Sequence, residues 1–192
     1  MDDEKYLSEF EIKLQTELMK RAFQMKAIDD TLLQNDDIES KFHELAPGYF
    51  GDAVKEVSEY PEVSIAWAGY LGMGVAKLWD EDFCRFQKAS YSDFLGGRGF
   101  DDMDEHIVRD ILGHPLNSKE ALSRADILSR LASSAISFIR HEGVEPQSPR
   151  AYYIYARAVQ VVYRIGASIQ LHSLGYRYQK VEFPGMGGNL KS

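Results

Sequence analysis

One segment, PEVSIAWAGYLGMGVAKLWD at residues 61–80, restricts the possible folds more than any other part of the chain. It contains 14 consecutive residues without a charge, 63–76. A helix that is apolar on nearly every side must be covered by protein or by lipid. A bilayer requires about 20 such residues, so the run is too short to cross one. We therefore expect a central, buried helix in a protein that does not span a membrane.

Small residues recur along this segment at helical spacing. Ser64, Ala68, Gly72 and Ala76 are four residues apart, so they lie along one side of the helix. Each glycine in a helix lowers its stability by about 1 kcal/mol relative to alanine, and packing has to offset that cost. The pattern predicts that a second helix approaches this side closely.

Apolar residues follow a helical period along most of the chain, and the alternation typical of strands is scarce. We predict an all-α, single-domain helical bundle of about six or seven helices, with two long central helices at about 61–79 and 149–174. The domain is expected to span 1–180. The glycine-rich tail, 181–192, is expected to be mobile unless it docks.

Capping and stop signals set the expected bounds of the other helices. Asp36 is expected to cap the second helix and Pro47 to end it, while Asn117 is expected to cap the helix over 118–141. Ser148, followed by proline, is a strong start signal for the last helix. The helices other than the two central ones are predicted over 3–27, 37–46, 51–60, 81–92, 102–112 and 118–141.

The stretch FLGGRGFDDMDEH, residues 94–106, combines three glycines with a following run of acids. A phosphate loop, a cation loop and a plain turn are the three possibilities. No Lys-Ser or Lys-Thr pair closes the loop, the acids would repel phosphate, and the EF-hand positions do not match. We favour a turn followed by acids that interact with the positive end of the next helix.

His106, Asp110 and His114 are four residues apart and could share one helical face. Imidazole and carboxylate groups are ligands for zinc and iron, so the three residues are a candidate metal site. Gly113 and Pro115 are expected to end the helix near His114, which would spoil this register. We therefore favour a simple His106–Asp110 pair and expect no cofactor.

The last helix carries the most distinctive polar pattern. Arg150, Arg157 and Arg164 are seven residues apart, with Tyr153 and Gln160 on the same stripe and apolar residues on either side. Buried guanidinium groups need anionic partners. Acids of neighbouring helices are the favoured partners. A small anionic ligand held by Arg157, Arg164, Gln160 and Tyr153 is the alternative, and a subunit interface is the third possibility.

The distribution of charge supports pairing inside the fold. The chain has a net charge of −8, yet residues 149–192 contain six Lys and Arg against one Glu, which leaves −13 on the rest. An acidic chain of this kind makes few phosphate contacts, so we expect no nucleic-acid partner.

The sequence contains no recognisable catalytic signature. The single cysteine, Cys84, excludes an internal disulfide, and the acidic start of the chain has no signal-peptide pattern, so we expect a cytoplasmic protein. We predict a non-catalytic protein-interaction or structural module, acting as a homo-oligomer or with a protein partner. The alternative is a binding protein or enzyme for a small anionic ligand.

Overall fold

The computed structural model describes residues 3–179, which are all-α and contain no strand. The fold is 76% helical with seven helices, so the predicted all-α single-domain bundle is confirmed. The helices are α1 (Asp3–Gln24), α2 (Asp36–Glu56), α3 (Pro61–Glu81), α4 (Phe83–Lys88), α5 (Met103–His106), α6 (Lys119–His141) and α7 (Pro149–Ser173). Short helical turns Tyr91–Phe94, Phe100–Asp102 and Ile107–Ile111 complete the connection between α3 and α6.

Helices α3 and α7 form the centre of the bundle, as the sequence predicts. A Cβ atom added to Gly72 would lie 2.0 Å from the carbonyl oxygen of Tyr163, so only a glycine fits there. Nearly all of α3 between Ser64 and Leu78 is buried. The stripe of small residues on α3 therefore allows α7 to approach until the two backbones touch.

Contacts between the helices define their directions. Helices α1, α3 and α7 run in the same direction. For α1 with α7, and for α3 with α7, residues further along one helix contact residues further along the other. Helix α2 runs opposite to α3, because Tyr49 donates a hydrogen bond to the carbonyl of Ser64 while Asp37 accepts one from Trp79. Helix α6 runs opposite to α1, with Phe10 packed on Phe138 at 5.6 Å between ring centres. One core is enclosed between these five long helices.

Helix α2 corrects the prediction of two short helices over 37–46 and 51–60. It is continuous through Pro47, which removes one backbone hydrogen bond but does not end the helix. Burial of a long apolar side outweighs that loss. The buried apolar residues of α2 are Ile38, Phe42, Leu45, Tyr49 and Ala53. Gly48 lies beneath Tyr91, whose ring would be 2.4 Å from a Cβ atom.

Several other predicted bounds also differ. Asn35, rather than Asp36, caps α2 by accepting hydrogen bonds from Asp37 and Ile38. Ser118, rather than Asn117, caps α6. Ser148 caps α7 as predicted, accepting a hydrogen bond from the backbone N–H of Ala151.

The segment predicted as one helix over 102–112 changes type twice. After α5, residues Ile107–Ile111 form a π-helical turn in which the N–H of Leu112 donates to the carbonyl of Ile107 at 2.8 Å. Such a turn adds one residue to the ordinary repeat, and this shifts the faces of the residues that follow.

Among residues 3–179, no helix is both long enough and apolar enough to cross a membrane. The predicted tail, 181–192, lies outside the described residues.

Candidate functional site

The glycine-rich loop forms a turn. Gly96 and Gly99 pair across it, and Gly99 has a φ of +74°, which favours glycine. The carboxylate of Asp102 accepts a hydrogen bond from the backbone N–H of Arg98, at 3.1 Å to each oxygen. A Cβ atom on Gly96 would lie 2.2 Å from that carboxylate. The chain's own carboxylate thus occupies the position that a phosphate would need in an anion-binding loop.

The structure brings together two of the three predicted metal ligands. His106 Nδ1 lies 2.9 Å from Asp110 Oδ2, and His106 Nε2 lies 3.1 Å from the carbonyl of Asp93. The Arg109 guanidinium hydrogen-bonds Asp110, and together with His106 it lowers the pKa of that carboxyl to about 2. Burial, followed by the charge of Arg124, lowers the pKa of His114.

His114 does not complete a site with this pair. Within residues 3–179, no group of three or more His, Cys, Asp or Glu side chains is arranged to hold a metal ion. The end of the helical segment is the physical reason: the turn that contains Asp110 stops at Ile111 and Gly113 has a φ of +75°, so His114 lies outside the helix and off the four-residue register.

Arg164 is the centre of the arginine stripe on α7. Its Nη2 donates to Glu39 at 2.7 Å and its Nη1 donates to Glu11 at 3.1 Å, so it joins α7 to both α2 and α1. Its side chain also donates to Gln15. Gln160 donates to the same Glu39 at 2.8 Å. Burial lowers the pKa of Arg164, but the hydrogen bonds and charges of Glu39 and Glu11 raise it more.

The N-terminal half of the stripe is more open. Arg157 donates to Glu4 at 2.9 Å and to Glu11 at 2.8 Å, and Arg150 contacts Asp3 at 2.5 Å. Tyr153 lies beside these residues at a shallow cavity of about 370 Å³. Of the predicted ligand residues, Arg157, Gln160 and Arg164 are joined through the shared carboxylates, and Tyr153 stands at the rim. All three arginines already have carboxylate partners.

The sequence contained a signal for these partners. Glu4 and Glu11 are seven residues apart on α1, the same spacing as Arg157 and Arg164 on α7. Two parallel helices with matching spacing place each acid beside an arginine. The equal spacing on α1 and α7 can be read from the sequence, but the relative direction of the two helices cannot.

A second surface, which the sequence did not reveal, lies where α2 ends and α7 begins. We call it the apolar end surface. It comprises Phe50, Val54, Val57, Pro61, Ile139, Val144, Pro146 and Tyr152, and the groove that crosses it is also lined by the buried residues Ile154 and Tyr155 and by Ser58, Arg140 and Gln147. Val54 is 47% exposed and Tyr152 is 46% exposed. A groove of about 490 Å³ runs through it between α3, α6 and α7.

Aromatic side chains make this surface continuous. Phe50 packs on Tyr152 and on Tyr155, with ring centres 6.3 and 6.2 Å apart. Burial raises the pKa of Tyr155 to about 12, and its hydroxyl donates to the carbonyl of Ser64. Its hydroxyl is therefore un-ionised at neutral pH and tied to α3, so Tyr155 presents an apolar ring edge to the groove.

The chain matches no known protein family, and neither a curated protein nor a solved structure shows significant similarity to it.

Proposed function

We propose that this protein is a non-catalytic interaction module that self-associates through the apolar end surface. The observation that supports the proposal is the gathering of exposed and partly exposed apolar side chains around a groove and the cavity that adjoins it. Continuous exposed apolar surface on a folded protein is typical of sites of protein contact. Aromatic residues such as Tyr152 and Tyr155 are also enriched in the buried centres of such contacts.

Charge favours a second copy of the same chain as the occupant. Each copy carries a net charge of −8, so two copies repel each other over most of their surfaces. Among the described residues, no aspartate or glutamate lines the groove or the adjoining cavity beside Phe50, and Arg140 is the one arginine or lysine that does. Two copies therefore meet with least repulsion through this surface. A two-fold contact of the surface with itself satisfies both partners at once.

The remaining expectations belong to the same proposal. The lack of a nucleic-acid partner agrees with the acidic composition, and a cytoplasmic location agrees with the single cysteine. Binding of an anionic ligand to the stripe of α7 is the weaker candidate. Such a ligand would have to displace Glu11 from Arg157 and Arg164, and Glu39 from Arg164.

Sedimentation velocity over a range of protein concentrations tests the proposal. Val54→Glu and Tyr152→Glu each place a charge in the centre of the apolar end surface. Leu122→Glu is the matched control, since Leu122 is 61% exposed on α6 and does not line the surface. We expect a dimer for the parent chain and for Leu122→Glu, and a monomer for the other two variants.

Two results would contradict the proposal. The first is a parent chain that stays at 21.8 kDa at every concentration. The second is a dimer that Val54→Glu and Tyr152→Glu weaken no more than Leu122→Glu does, because the contact would then lie elsewhere.

A further inference from the structure

Arg124 occupies a position on α6 that an apolar residue would ordinarily fill. The buried residues of α6 are Ala121, Arg124, Leu128, Leu131, Ala132 and Ala135, and their spacing is that of one core-facing stripe. Arg124 is only 8% exposed. Guanidinium groups are rarely placed this deep unless a carboxylate or another anion accompanies them.

The contacts of Arg124 do not include such a partner. Its Nη1 donates to the backbone carbonyl of Glu120 at 3.3 Å, and its Nη2 donates to Gln170 at 3.4 Å and Ser173 at 3.2 Å. All three acceptors are neutral, and all three distances are long for hydrogen bonds to a charged donor. Arg124 forms no ion pair within residues 3–179.

One nitrogen of this group has no partner at all. Arg124 Nε is the one fully buried side-chain nitrogen or oxygen among the described residues that makes no hydrogen bond. The Nε–H and one Nη–H of a guanidinium form a planar fork that matches the two oxygens of a carboxylate. The fork of Arg124 thus has a free Nε–H beside an Nη2 that is held only by long bonds to neutral groups.

The positive charge of Arg124 is only partly compensated, although the chain as a whole is acidic. Burial lowers the pKa of His114, the charges of Arg124 and Lys77 lower it further and that of Glu120 raises it, so these side chains lie within reach of one another's charge. Glu120 and Tyr70 act in the opposite direction on Arg124, but they do not prevent a net lowering of its pKa by burial. A bound anion would relieve the cost of this buried positive charge.

We propose that Arg124 is the anchor of a binding site for a small carboxylate, between α6 and the C-terminal end of α7. The carboxylate accepts two hydrogen bonds from the Nε/Nη2 fork, and Ser173 and Gln170 flank it. This site is separate from the arginine stripe of α7 and from the apolar end surface, and it does not depend on self-association.

A planar monoanion fits better than a phosphate group. The guanidinium is almost completely covered, so a flat group entering edge-on requires less opening than a tetrahedral one. Glu120 also lies within electrostatic range of Arg124, and its charge penalises a dianion more than a monoanion.

Thermal unfolding in sodium acetate, sodium phosphate and sodium chloride at equal ionic strength tests the site. Three chains are compared: the parent, Arg124→Met, and Arg130→Met. Arg130 is the matched control, because it lies on the same helix and forms an exposed pair with Asp126 at 3.0 Å. Methionine keeps the length of the side chain while it removes the charge.

We expect acetate to raise the Tm of the parent and of Arg130→Met by about 2 °C or more relative to chloride. We expect no acetate effect on Arg124→Met. In chloride, Arg124→Met should melt at or above the temperature of the parent, since it removes a buried charge that has no anionic partner.

Three results would overturn the proposal. Equal melting of the parent in acetate and chloride would mean that water alone satisfies Arg124. An acetate effect that survives in Arg124→Met would place binding elsewhere, and a larger effect of phosphate would assign the site to another class of anion. If Arg124→Met does not fold, Arg124→Lys replaces it. Lysine keeps the charge but lacks the fork, so saturation-transfer NMR of acetate should lose its signal with that variant.

Discussion

Gly166 of α7 lies so close to Gly69 of α3 that a Cβ atom on Gly166 would stand 2.1 Å from the Gly69 carbonyl oxygen. Gly72 has the reciprocal relationship with Tyr163 of α7. In both cases the obstacle is a backbone atom, which cannot rotate away as a flexible side chain can. The two central helices are therefore fixed in spacing and in register by atoms that have no freedom to adjust.

Gly72→Ala should reduce the free energy of unfolding by about 3 kcal/mol or more, because the added methyl group forces α3 and α7 apart. Gly51→Ala is the matched control, since a Cβ atom there meets nothing within 4 Å. It should stabilise the protein by about 0.5–1 kcal/mol through higher helix propensity. Urea unfolding measures both. Equal effects of the two substitutions would contradict the backbone contact between α3 and α7.

Glu39→Gln should destabilise the protein by about 2 kcal/mol at neutral pH, because it removes charge-assisted hydrogen bonds with Arg164. Burial raises the pKa of Glu39, but the hydrogen bonds and charge of Arg164 lower it more, so that it lies below its ordinary value. A carboxyl with a lowered folded-state pKa stabilises fully above its unfolded value and loses that effect as the pH falls.

The advantage of the parent over Glu39→Gln should therefore be constant near neutral pH and should shrink as the pH falls through the unfolded-state pKa and then the lowered folded-state pKa of Glu39. Urea unfolding over this range measures the difference. Asp126→Asn is the control, since its partner Arg130 is exposed and the pair contributes about 0.5 kcal/mol or less. A gap between the parent and Glu39→Gln that does not change with pH would show that the ionised carboxylate is not the stabilising form.

The sequence predicted helices correctly where a local signal and the packing of the core favoured the same structure. Ser148 and the apolar run of α3 led to the correct last helix and the correct central pair, because capping and burial favoured the same structure. Pro47 shows the opposite case. The usual breaking effect of proline is outweighed by the buried side of α2, and the size of that contribution depends on partners distant in sequence.

The candidate sites were less predictable, because they depend on how the helices are arranged. Spacing alone identified the arginines of α7, but which acids face them depends on the parallel course of α1. Neither the burial of Arg124 on α6 nor its lack of an anionic partner was predicted, since both reflect which residues α7 places opposite.

Lys41→Met should cost about 1–3 kcal/mol of unfolding free energy. Lys41 is only 3% exposed, and its ammonium group donates to Glu44 at 2.6 Å and to the carbonyl of Gln87 at 3.1 Å. The substitution leaves that carbonyl without its donor. Lys55→Met is the control, since Lys55 is 76% exposed and should change stability by about 0.5 kcal/mol or less. Thermal unfolding compares the two, and equal losses would count against the buried role of Lys41.

Lys26→Gly should stabilise the protein by about 1 kcal/mol. Lys26 has a φ of +59°, a conformation that is strained for a residue with a side chain. Gly143 has nearly the same φ, +61°, after α6, so Gly143→Ala should destabilise by a similar amount. Chemical unfolding of both variants is the measurement. Shifts of the same sign in the two variants would contradict this account of the helix ends.

Helix α7 is the last long helix among residues 3–179, yet it contacts α1, α2, α3 and α6. While the protein is being synthesised, the apolar surface of α3 and the acids of α1 emerge from the ribosome well before the helix that covers and pairs with them. The core can close only after residues 149–173 have left the exit tunnel. Until then, the apolar side of α3 that faces α7 stays uncovered, and exposed surface of this kind makes a partly folded chain prone to aggregation.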